Sequence, residues 1–212
     1  MSEKNKLDII RPFGPAIGKV KIPENILKVL NDHVDKIIED SEKVKKLDYS
    51  SKLIGNVKQE IEIESEVAKE TGWLDFLAQA SSAWIKHSSG KEIKNFHLID
   101  SWVVRQFQNE YNPIHYHSGH ISGAGFLKVP SNFGKTFQNA KKNVNGQLVL
   151  VHGNRQFLSG SMYHITPEVG DFYFFPHYLM HLVYPFKDSN EERRSISFNA
   201  HVDDTVFNVF GF

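Results

Sequence analysis

Residues 113–127 read Pro-Ile-His-Tyr-His-Ser-Gly-His-Ile-Ser-Gly-Ala-Gly-Phe-Leu and place His115, His117 and His120 within six positions. Side chains two residues apart on a β-strand point to the same side, so His115 and His117 would project into one space. Imidazole is a common metal ligand. The chain has eleven histidines, so some clustering arises by chance. By itself the pair predicts half of a metal site.

The composition narrows the class of protein. A length of 212 residues favours one domain with a sizeable core, and 25 basic residues cancel 25 acidic ones. This balance gives no signal for nucleic acid or for an anionic membrane. The absence of cysteine excludes disulfides and thiolate ligands, so a metal would rest on histidine and carboxylate. The polar first residues and the lack of a long apolar run predict a soluble, cytoplasmic protein.

Residues 1–92 are predicted to form a mainly helical support region. Apolar residues recur at helical spacing from Pro23 to about residue 38, and again over residues 66–87, where the pattern stops before Gly90. Between these segments, Ile61 and Ile63 alternate with glutamates, as in an edge strand. The region therefore predicts two amphipathic helices and one strand.

From residue 95 the hydrophobic pattern changes to a period of two. Seven β-rich segments follow, at 96–108, 120–129, 147–152, 161–166, 172–175, 181–184 and 193–202. No helical segment separates them, which favours antiparallel pairing. With an edge strand from the N-terminal region, about eight strands result. We predict a mainly β (α+β) fold, a double-stranded β-helix or jelly roll with the N-terminal helices packed on one sheet.

This interpretation divides one domain, residues 1–212, into three parts. Residues 1–92 are the support region, 93–202 the double-stranded β-helix core, and 203–212 a C-terminal tail. The polar connector at 130–146 fits either a lid over the mouth of the barrel or an ordinary exposed hairpin. The apolar residues 206–212 would close the sheet or cover a partner, so a homodimer stays open.

The second half of the metal site is expected in Phe-Phe-Pro-His-Tyr-Leu-Met-His, which ends at His181. An aromatic strand, a proline turn and a histidine at the start of the next strand would deliver His181 to the barrel interior. His181 is therefore the third candidate ligand, and His177 is an alternative in an exposed loop.

The last predicted strand contains a polar face. Alternation places Arg193, Ser195, Ser197 and Asn199 on one side, which suits a polar cavity better than a core. A guanidinium with a hydroxyl two residues away can hold a carboxylate. The other interpretation makes Arg193 and Arg194 a solvated pair after a polar loop, and the spacing does not decide which of them would bind.

Together these motifs resemble the 2-oxoglutarate- and Fe(II)-dependent oxygenases, particularly those distantly related to prolyl 4-hydroxylases. The resemblance covers about residues 95–202. The residues that carry it are Trp102, Asn112, His115, His117, Ser122, Gly123, Phe126, Pro130, Phe175, Pro176, His181, Glu192, Arg193, Ser195, Phe198 and Asn199.

The resemblance implies Fe(II) and 2-oxoglutarate as cofactors. It makes His115 and His181 iron ligands, and His117 a third ligand where the superfamily has an acidic residue. Arg193 and Ser195 would grip the C5 carboxylate of 2-oxoglutarate. Its expected partners are 2-oxoglutarate, O2 and an unidentified primary substrate, and the expected reaction is hydroxylation of a C–H bond with release of succinate and CO2. No catalytic residue is expected beyond the metal ligands.

Two other functions remain compatible with these residues. A cupin-like metalloenzyme would use the three histidines without 2-oxoglutarate, and a jelly-roll binding module would use neither metal nor co-substrate. The first alternative differs from the oxygenase in making no use of Arg193.

Overall fold

The structure is a computed structural model that describes residues 7–10, 14–136 and 142–208. This part of the chain contains five α-helices: α1 (Glu24–Ile38), α2 (Ser41–Lys46), α3 (Ser65–Glu70), α4 (Trp73–Ser89) and α5 (Asp204–Phe207). It also contains eleven strands: β1 (Asp8–Ile10), β2 (Ile17–Lys21), β3 (Gln59–Glu62), β4 (Phe96–Gln106), β5 (Asn112–His115), β6 (Ile121–Lys128), β7 (Leu148–Val151), β8 (Met162–Ile165), β9 (Asp171–Pro176), β10 (Met180–Val183) and β11 (Arg193–Val202).

Two antiparallel sheets form the β-core. Within the described residues, one sheet has seven strands in the order β1-β2-β9-β6-β11-β4-β3, and the other has four in the order β5-β10-β7-β8. Strands distant in sequence are neighbours in both sheets, as in a jelly roll. The predicted mainly β, double-stranded β-helix fold is confirmed. The extra strands beyond the expected eight come from the lead-in before α1 and from the short β5.

The helices cover one face of the seven-stranded sheet. Helix α1 follows Pro23 and buries a stripe of apolar residues, among them Leu30 and Val34. Helix α4 contributes Trp73, which packs edge-on against Phe172 of β9 with ring centroids 5.3 Å apart. A second apolar cluster lies between the two sheets and includes Phe126 of β6 and Leu150 of β7. The face of the seven-stranded sheet that is turned towards the four-stranded sheet is called its inner face below.

The helix expected over residues 66–87 is two helices. Gly72 separates α3 from α4 in the left-handed conformation, with φ of +75°, which costs glycine little and other residues more. The predicted end is correct: Gly90 has φ of +73° and donates its N–H to the Lys86 carbonyl oxygen at 2.9 Å. A chain reversal at Gly72 lets both helices lie on the sheet.

The connector at 130–146 lies largely against a neighbouring loop. Ser131 donates its N–H and its hydroxyl to Glu191, and the Phe133 ring packs edge-on against Phe186 at 5.7 Å. Residues 137–141 lie outside the described part of the chain, as do residues 209–212 of the apolar tail. No helix among the described residues is long and apolar enough to cross a membrane.

Gly123 of β6 lies close against β9, and this generates the first prediction. A Cβ at this position would lie 2.7 Å from the Tyr173 carbonyl oxygen and 2.6 Å from the Phe172 ring. Gly123→Ala is therefore expected to lower the free energy of unfolding by about 1–3 kcal/mol, the usual cost of overpacking a core. Urea unfolding followed by circular dichroism measures the change.

Gly160→Ala is the matched control. A Cβ at Gly160 would meet nothing within 4 Å, so its effect is expected to stay within about 0.5 kcal/mol. Equal stability of the two variants would contradict the close strand packing at Gly123.

Candidate active site

Three histidines converge between the two sheets. His115 ends β5 and lies directly across the antiparallel pair from His181 of β10, with ring centroids 4.2 Å apart. His117 follows two residues after β5, and its ring centroid lies 4.7 Å from that of His181. One nitrogen from each ring lies within 4.8 Å of the others. The structure therefore brings together all three histidines that the sequence singled out as candidate ligands.

Hydrogen bonds fix the tautomer of each ring. His115 donates from Nδ1 to the Pro113 carbonyl oxygen at 2.7 Å, and His181 donates from Nδ1 to the Leu179 carbonyl oxygen at 2.8 Å. Each bond reaches back two residues along the chain. Carbonyl oxygens only accept, so both Nδ1 atoms carry the proton and both Nε2 atoms keep a free lone pair.

The same orientation holds for His117. Its Nδ1 lies 2.8 Å from both Asn199 Oδ1 and Ser122 Oγ. The Ser122 hydroxyl donates its own proton to the Phe198 carbonyl oxygen at 2.7 Å, so towards His117 it accepts. Nδ1 of His117 is again the donor. Contacts that orient the ring and fix its tautomer are typical around metal-binding histidines.

The three free lone pairs then face one another. Nε2 of His181 and Nε2 of His117 are 3.0 Å apart, a separation at which two lone pairs repel. Burial, and after it the neighbouring rings, lowers the pKa of His117 to about 4 and that of His181 well below its usual value. At neutral pH no proton relieves the repulsion. A divalent cation would satisfy all three nitrogens, so the donor set fits a metal such as Fe(II).

Aromatic rings enclose the histidine cluster. The Trp102 ring lies nearly parallel to that of His117 at 5.4 Å, and Phe175 meets His117 edge-on at 6.4 Å. Trp102, one of the residues that carry the resemblance, thus packs against a candidate ligand. His177, the alternative ligand, places its Nδ1 3.3 Å from the His117 carbonyl oxygen and is not part of the cluster.

Arg193 is a fully buried cation on the inner face of β11. It donates to the Gly146 carbonyl oxygen at 3.2 Å, to Gln106 Oε1 at 3.1 Å and to Ser195 Oγ at 3.3 Å. The guanidinium also lies over the Phe126 ring, 5.0 Å from its centroid. None of these partners is charged, and no ion pair with Arg193 occurs within residues 7–10, 14–136 and 142–208. Burial lowers the pKa of Arg193 to about 9, which leaves it positive at neutral pH.

Arg194 points to the opposite face and is fully paired. Its guanidinium donates to Asp35 Oδ1 at 2.7 Å, to Glu192 Oε1 at 2.7 Å and to Asn31 Oδ1 at 3.0 Å. Burial by itself would lower the pKa of Arg194, but the carboxylates of Glu192 and Asp35 raise it above its usual value. Arg194 thus ties β11 to helix α1, and the arginine that faces the interior between the sheets is Arg193.

One cavity of about 950 Å³ connects these groups. All five predicted site residues line it: His115, His117, His181, Arg193 and Ser195. It also reaches a polar wall formed by Glu60, Asp100 and Asn112. Of these, only Asn112 is among the residues that carry the resemblance, and no role in the site was predicted for it. Alternation had marked Glu60 only as the outward face of an edge strand. Its burial depends on residues 47–55, which fold over β3, and no local pattern reveals that contact.

Comparisons with known proteins agree with this arrangement. Residues 100–199 match the family model described as putative 2OG-Fe(II) oxygenase, a segment that includes all five predicted site residues. No curated protein matches the sequence. Among solved structures, a prolyl 4-hydroxylase of Pseudomonas putida aligns with a TM-score of 0.57 and 13% identity over 86% of this chain and 91% of its own.

Two further solved structures have the same fold. A viral collagen prolyl hydroxylase from Paramecium bursaria Chlorella virus-1, in complex with 2OG, has a TM-score of 0.51 and 16% identity over 87% of this chain and 94% of its own. A prolyl hydroxylase of Trichoplax adhaerens, in complex with a peptide fragment of hypoxia inducible factor, has a TM-score of 0.53 and 12% identity over 98% of this chain and 88% of its own.

The architecture defines the chain first as a double-stranded β-helix protein with a histidine cluster between its sheets. The family match then makes the comparison more specific: the segment at 100–199, which contains the histidine cluster and Arg193, matches the model of the putative 2OG-Fe(II) oxygenases. The resemblance found in the sequence is confirmed, and with it the enzyme class and its cofactors, Fe(II) and 2-oxoglutarate.

The two arginines of β11 are expected to differ in their effect on stability. Arg194→Met breaks charged hydrogen bonds to Glu192 and Asp35 and one to Asn31, although Arg105 and Lys128 still pair with the two carboxylates, and is expected to lower the free energy of unfolding by about 2 kcal/mol. Arg193→Met breaks hydrogen bonds to neutral acceptors only and is expected to cost less. Chemical denaturation of both variants measures the difference. A larger loss in Arg193→Met would contradict these assignments.

The contact between Asn199 and His117 is expected to matter for metal binding. Asn199→Ala removes an acceptor that holds the His117 ring, so Fe(II) affinity is expected to fall about 10- to 100-fold while the fold is kept. Anaerobic calorimetric titration with Fe(II) measures it. Asn190→Ala, in an exposed loop, is the control and should bind Fe(II) as the wild type does. Unchanged affinity in Asn199→Ala would mean that Asn199 does not support a ligand.

Proposed function

We propose that this enzyme is an Fe(II)- and 2-oxoglutarate-dependent dioxygenase that hydroxylates a C–H bond of a primary substrate and releases succinate and CO2. The proposal rests on one observation: Arg193 and the histidine cluster line the same cavity. A buried guanidinium without an acidic partner is unfavourable unless an anion completes it. The distal carboxylate of 2-oxoglutarate is such an anion.

The metal would be held by Nε2 of His115, His117 and His181. When bound, Fe(II) supplies the oxygen chemistry, which the protein does not perform itself. The side chains around it have separate tasks. Asn199 and Ser122 orient His117 through its Nδ1, and the rings of Trp102 and Phe175 shield the cluster from water.

Arg193 and Ser195 would hold the co-substrate. The guanidinium lies against the hydroxyl two residues further along β11, so both can donate to one carboxylate. The Phe126 ring under the guanidinium keeps its plane in place. In the reaction, one atom of O2 enters succinate as CO2 leaves, and the other becomes the hydroxyl of the product.

The three-histidine ligand set favours one alternative. The candidate metal group found among the described residues has no carboxylate, so its ligands bring no negative charge to the metal. This is also the donor set of a cupin-like metalloenzyme that acts without 2-oxoglutarate. The two functions differ in whether Arg193 contributes to the binding of an anion.

An anaerobic titration separates them. Fe(II) is added to the purified protein, followed by 2-oxoglutarate, and the visible metal-to-keto-acid charge-transfer band is recorded for wild type, Arg193→Met and Arg194→Met. We expect the band in the wild type and in folded Arg194→Met. In Arg193→Met we expect an apparent affinity for 2-oxoglutarate at least tenfold lower, because a charged hydrogen-bonding partner of the carboxylate is removed.

Iron binding without a band at saturating 2-oxoglutarate would overturn the dioxygenase and favour the three-histidine metalloenzyme. Failure to bind iron at all would favour the non-catalytic binding module.

A further inference from the structure

The cavity contains a second polar group that neither the histidines nor Arg193 explains. Both carboxylate oxygens of Glu60, Asp100 Oδ1 and Asn112 Oδ1 are buried and have no hydrogen-bond partner within residues 7–10, 14–136 and 142–208. All three residues line the same cavity as the histidines. Buried carboxylate oxygens are rarely left unpaired without a functional reason.

Glu60 is aimed into the cavity by strand register. It lies across from Val104 of β4, whose side chain also lines the cavity, and only 2% of the residue is exposed. The neighbouring Ile61 points the other way, into the core under the helices. Residues 47–49 pair with β3, as shown by the bond from the Tyr49 N–H to the Glu60 carbonyl oxygen at 2.9 Å. The carboxylate is thus enclosed on its outer side.

Glu60 and Asn112 converge beside Gly55. A Cβ on Gly55 would lie 2.6 Å from Glu60 Oε1 and 2.8 Å from Asn112 Oδ1, so only a glycine leaves both oxygens in place. Turning the Asn112 amide over would at most pair one oxygen of Glu60. Glu60 Oε2 and Asp100 Oδ1 would still be buried without a hydrogen-bond partner among the described residues.

Two of these residues, Asp100 and Asn112, adjoin the histidine cluster. Asp100 lies directly across from Asn199 in the β4–β11 pair, and Asn199 holds His117. Asn112 begins the strand that ends at His115. Glu60 lies further along the wall, across from Val104, which pairs with Ser195. The other oxygen of Asp100 is fixed, because it accepts the Tyr49 hydroxyl proton at 2.7 Å. A ligand that reaches both ends of this wall would lie beside the candidate metal.

The chemistry of the free groups specifies the ligand. With Glu60 ionised, a state that a bound cation favours, they are all acceptors, and two of the residues are carboxylates, so the complement is a nitrogen cation with several N–H donors. Lys52 also lines the cavity, but its ammonium lies over the Tyr49 ring, 4.3 Å from the centroid, and forms no ion pair with Glu60 or Asp100 among the described residues.

The rest of this wall is apolar. Leu53 and Ile54 line the cavity with Ile114 and Tyr116, and the last three are 56%, 49% and 66% exposed. Large exposed apolar side chains beside a cavity suit the hydrocarbon part of a ligand.

We propose that the primary substrate carries an ammonium or guanidinium group on an apolar stem, and that Glu60, Asp100 and Asn112 bind this cation beside the metal. The proposal rests on the dioxygenase function, because it assigns the substrate class of that same cavity. The source of the cation is either a small amine or guanidine, or a lysine or arginine side chain of a peptide.

The experiment uses the anaerobic complex of the protein with Fe(II) and 2-oxoglutarate, in which no turnover occurs. Binding of n-pentylammonium and n-butylguanidinium is measured by calorimetry, with 1-pentanol as a neutral probe. A second set contains blocked tripeptides with a central lysine, arginine or norleucine. We expect a cationic probe to bind at least tenfold more tightly than its neutral counterpart, and the set to which it belongs identifies the source.

Glu60→Gln tests the assignment to this carboxylate. We expect this substitution to lower the affinity for the cationic probe about tenfold or more. Glu70→Gln, on the exposed surface of α3, is the matched control and should bind the probe as the wild type does.

The melting temperature of the ligand-free protein distinguishes a ligand-binding Glu60 from a purely structural one. Burial, and after it the charge of Asp48, raises the pKa of Glu60 to about 7. A raised pKa adds stability at low pH that is lost as the pH rises through about 7. Glu60→Gln should therefore melt at the same temperature as the wild type, or higher, at pH 8, with the difference shrinking towards pH 5. The other ionisable groups near Glu60, which are Asp48, Tyr49, Lys52, Asp100 and the histidines, are present in both proteins, so the comparison isolates the effect of Glu60.

The outcomes are distinct. If the charge-transfer band forms but no cationic probe binds better than its neutral counterpart, or Glu60→Gln binds it equally well, the substrate class is wrong and the dioxygenase stands. A lower melting temperature of Glu60→Gln at pH 8 would make Glu60 a structural residue and overturn the proposal. If the wild type gives no band, the dioxygenase function itself fails.

Discussion

The alternation of side chains along β11 is the constraint on which both the core and the site depend. The strand lies between β4 and β6 near the middle of the larger sheet. Its outward residues, including Ile196 and Phe198, pack under the helices, and Arg194 on the same side is tied to Asp35 of α1. Its inward residues are polar and line the cavity. A shift of one residue in the pairing of β11 would exchange its inward and outward side chains. The polar side chains would then be buried under the helices, and the apolar ones would face the cavity.

Polar groups without a complementary partner are the common feature of the inner face. The three histidines present lone pairs to one another, Arg193 has only neutral partners, and Glu60 has none for its carboxylate within the described residues. Each arrangement costs stability in the protein alone, and each would be completed by a different ligand: a metal cation, an anion and an organic cation. Such costs are tolerated at functional sites because the binding groups are then held in place before the ligand arrives.

The sequence predicted those parts of the site that depend on local rules. The strand period placed Arg193 and Ser195 on one face, and the proline turn before His181 brought that residue to the start of a strand, as the structure has it. The alternation could not decide between Arg193 and Arg194, because that required knowing which face the helices cover. The break at Gly72 was missed because the apolar stripe continues across it.

Glu60 shows most clearly what the sequence could not supply. Glutamate alternating with isoleucine is the normal pattern of an edge strand with one face in water, and β3 is indeed an edge strand. The carboxylate is buried because the preceding segment at 47–55 folds back over β3, and because Asn112 of β5, far along the chain, approaches it beside Gly55. A residue that alternation predicts to be exposed, but that is buried with unpaired polar atoms, is therefore evidence for a binding site.

The positions of these charges also suggest how ligands are ordered in the cavity. Arg193 begins the inner face of β11 and Asn199, which holds His117, lies six residues further along it, about 20 Å at the usual rise per residue. Asp100 lies across from Asn199, at the far end of this face from the guanidinium, whereas Glu60 lies across β4 at the level of Ser195. An anion in the cavity is attracted to Arg193 and repelled by Asp100, and a cation the reverse. The lack of a carboxylate in the histidine cluster leaves the metal free to attract the anionic co-substrate as well.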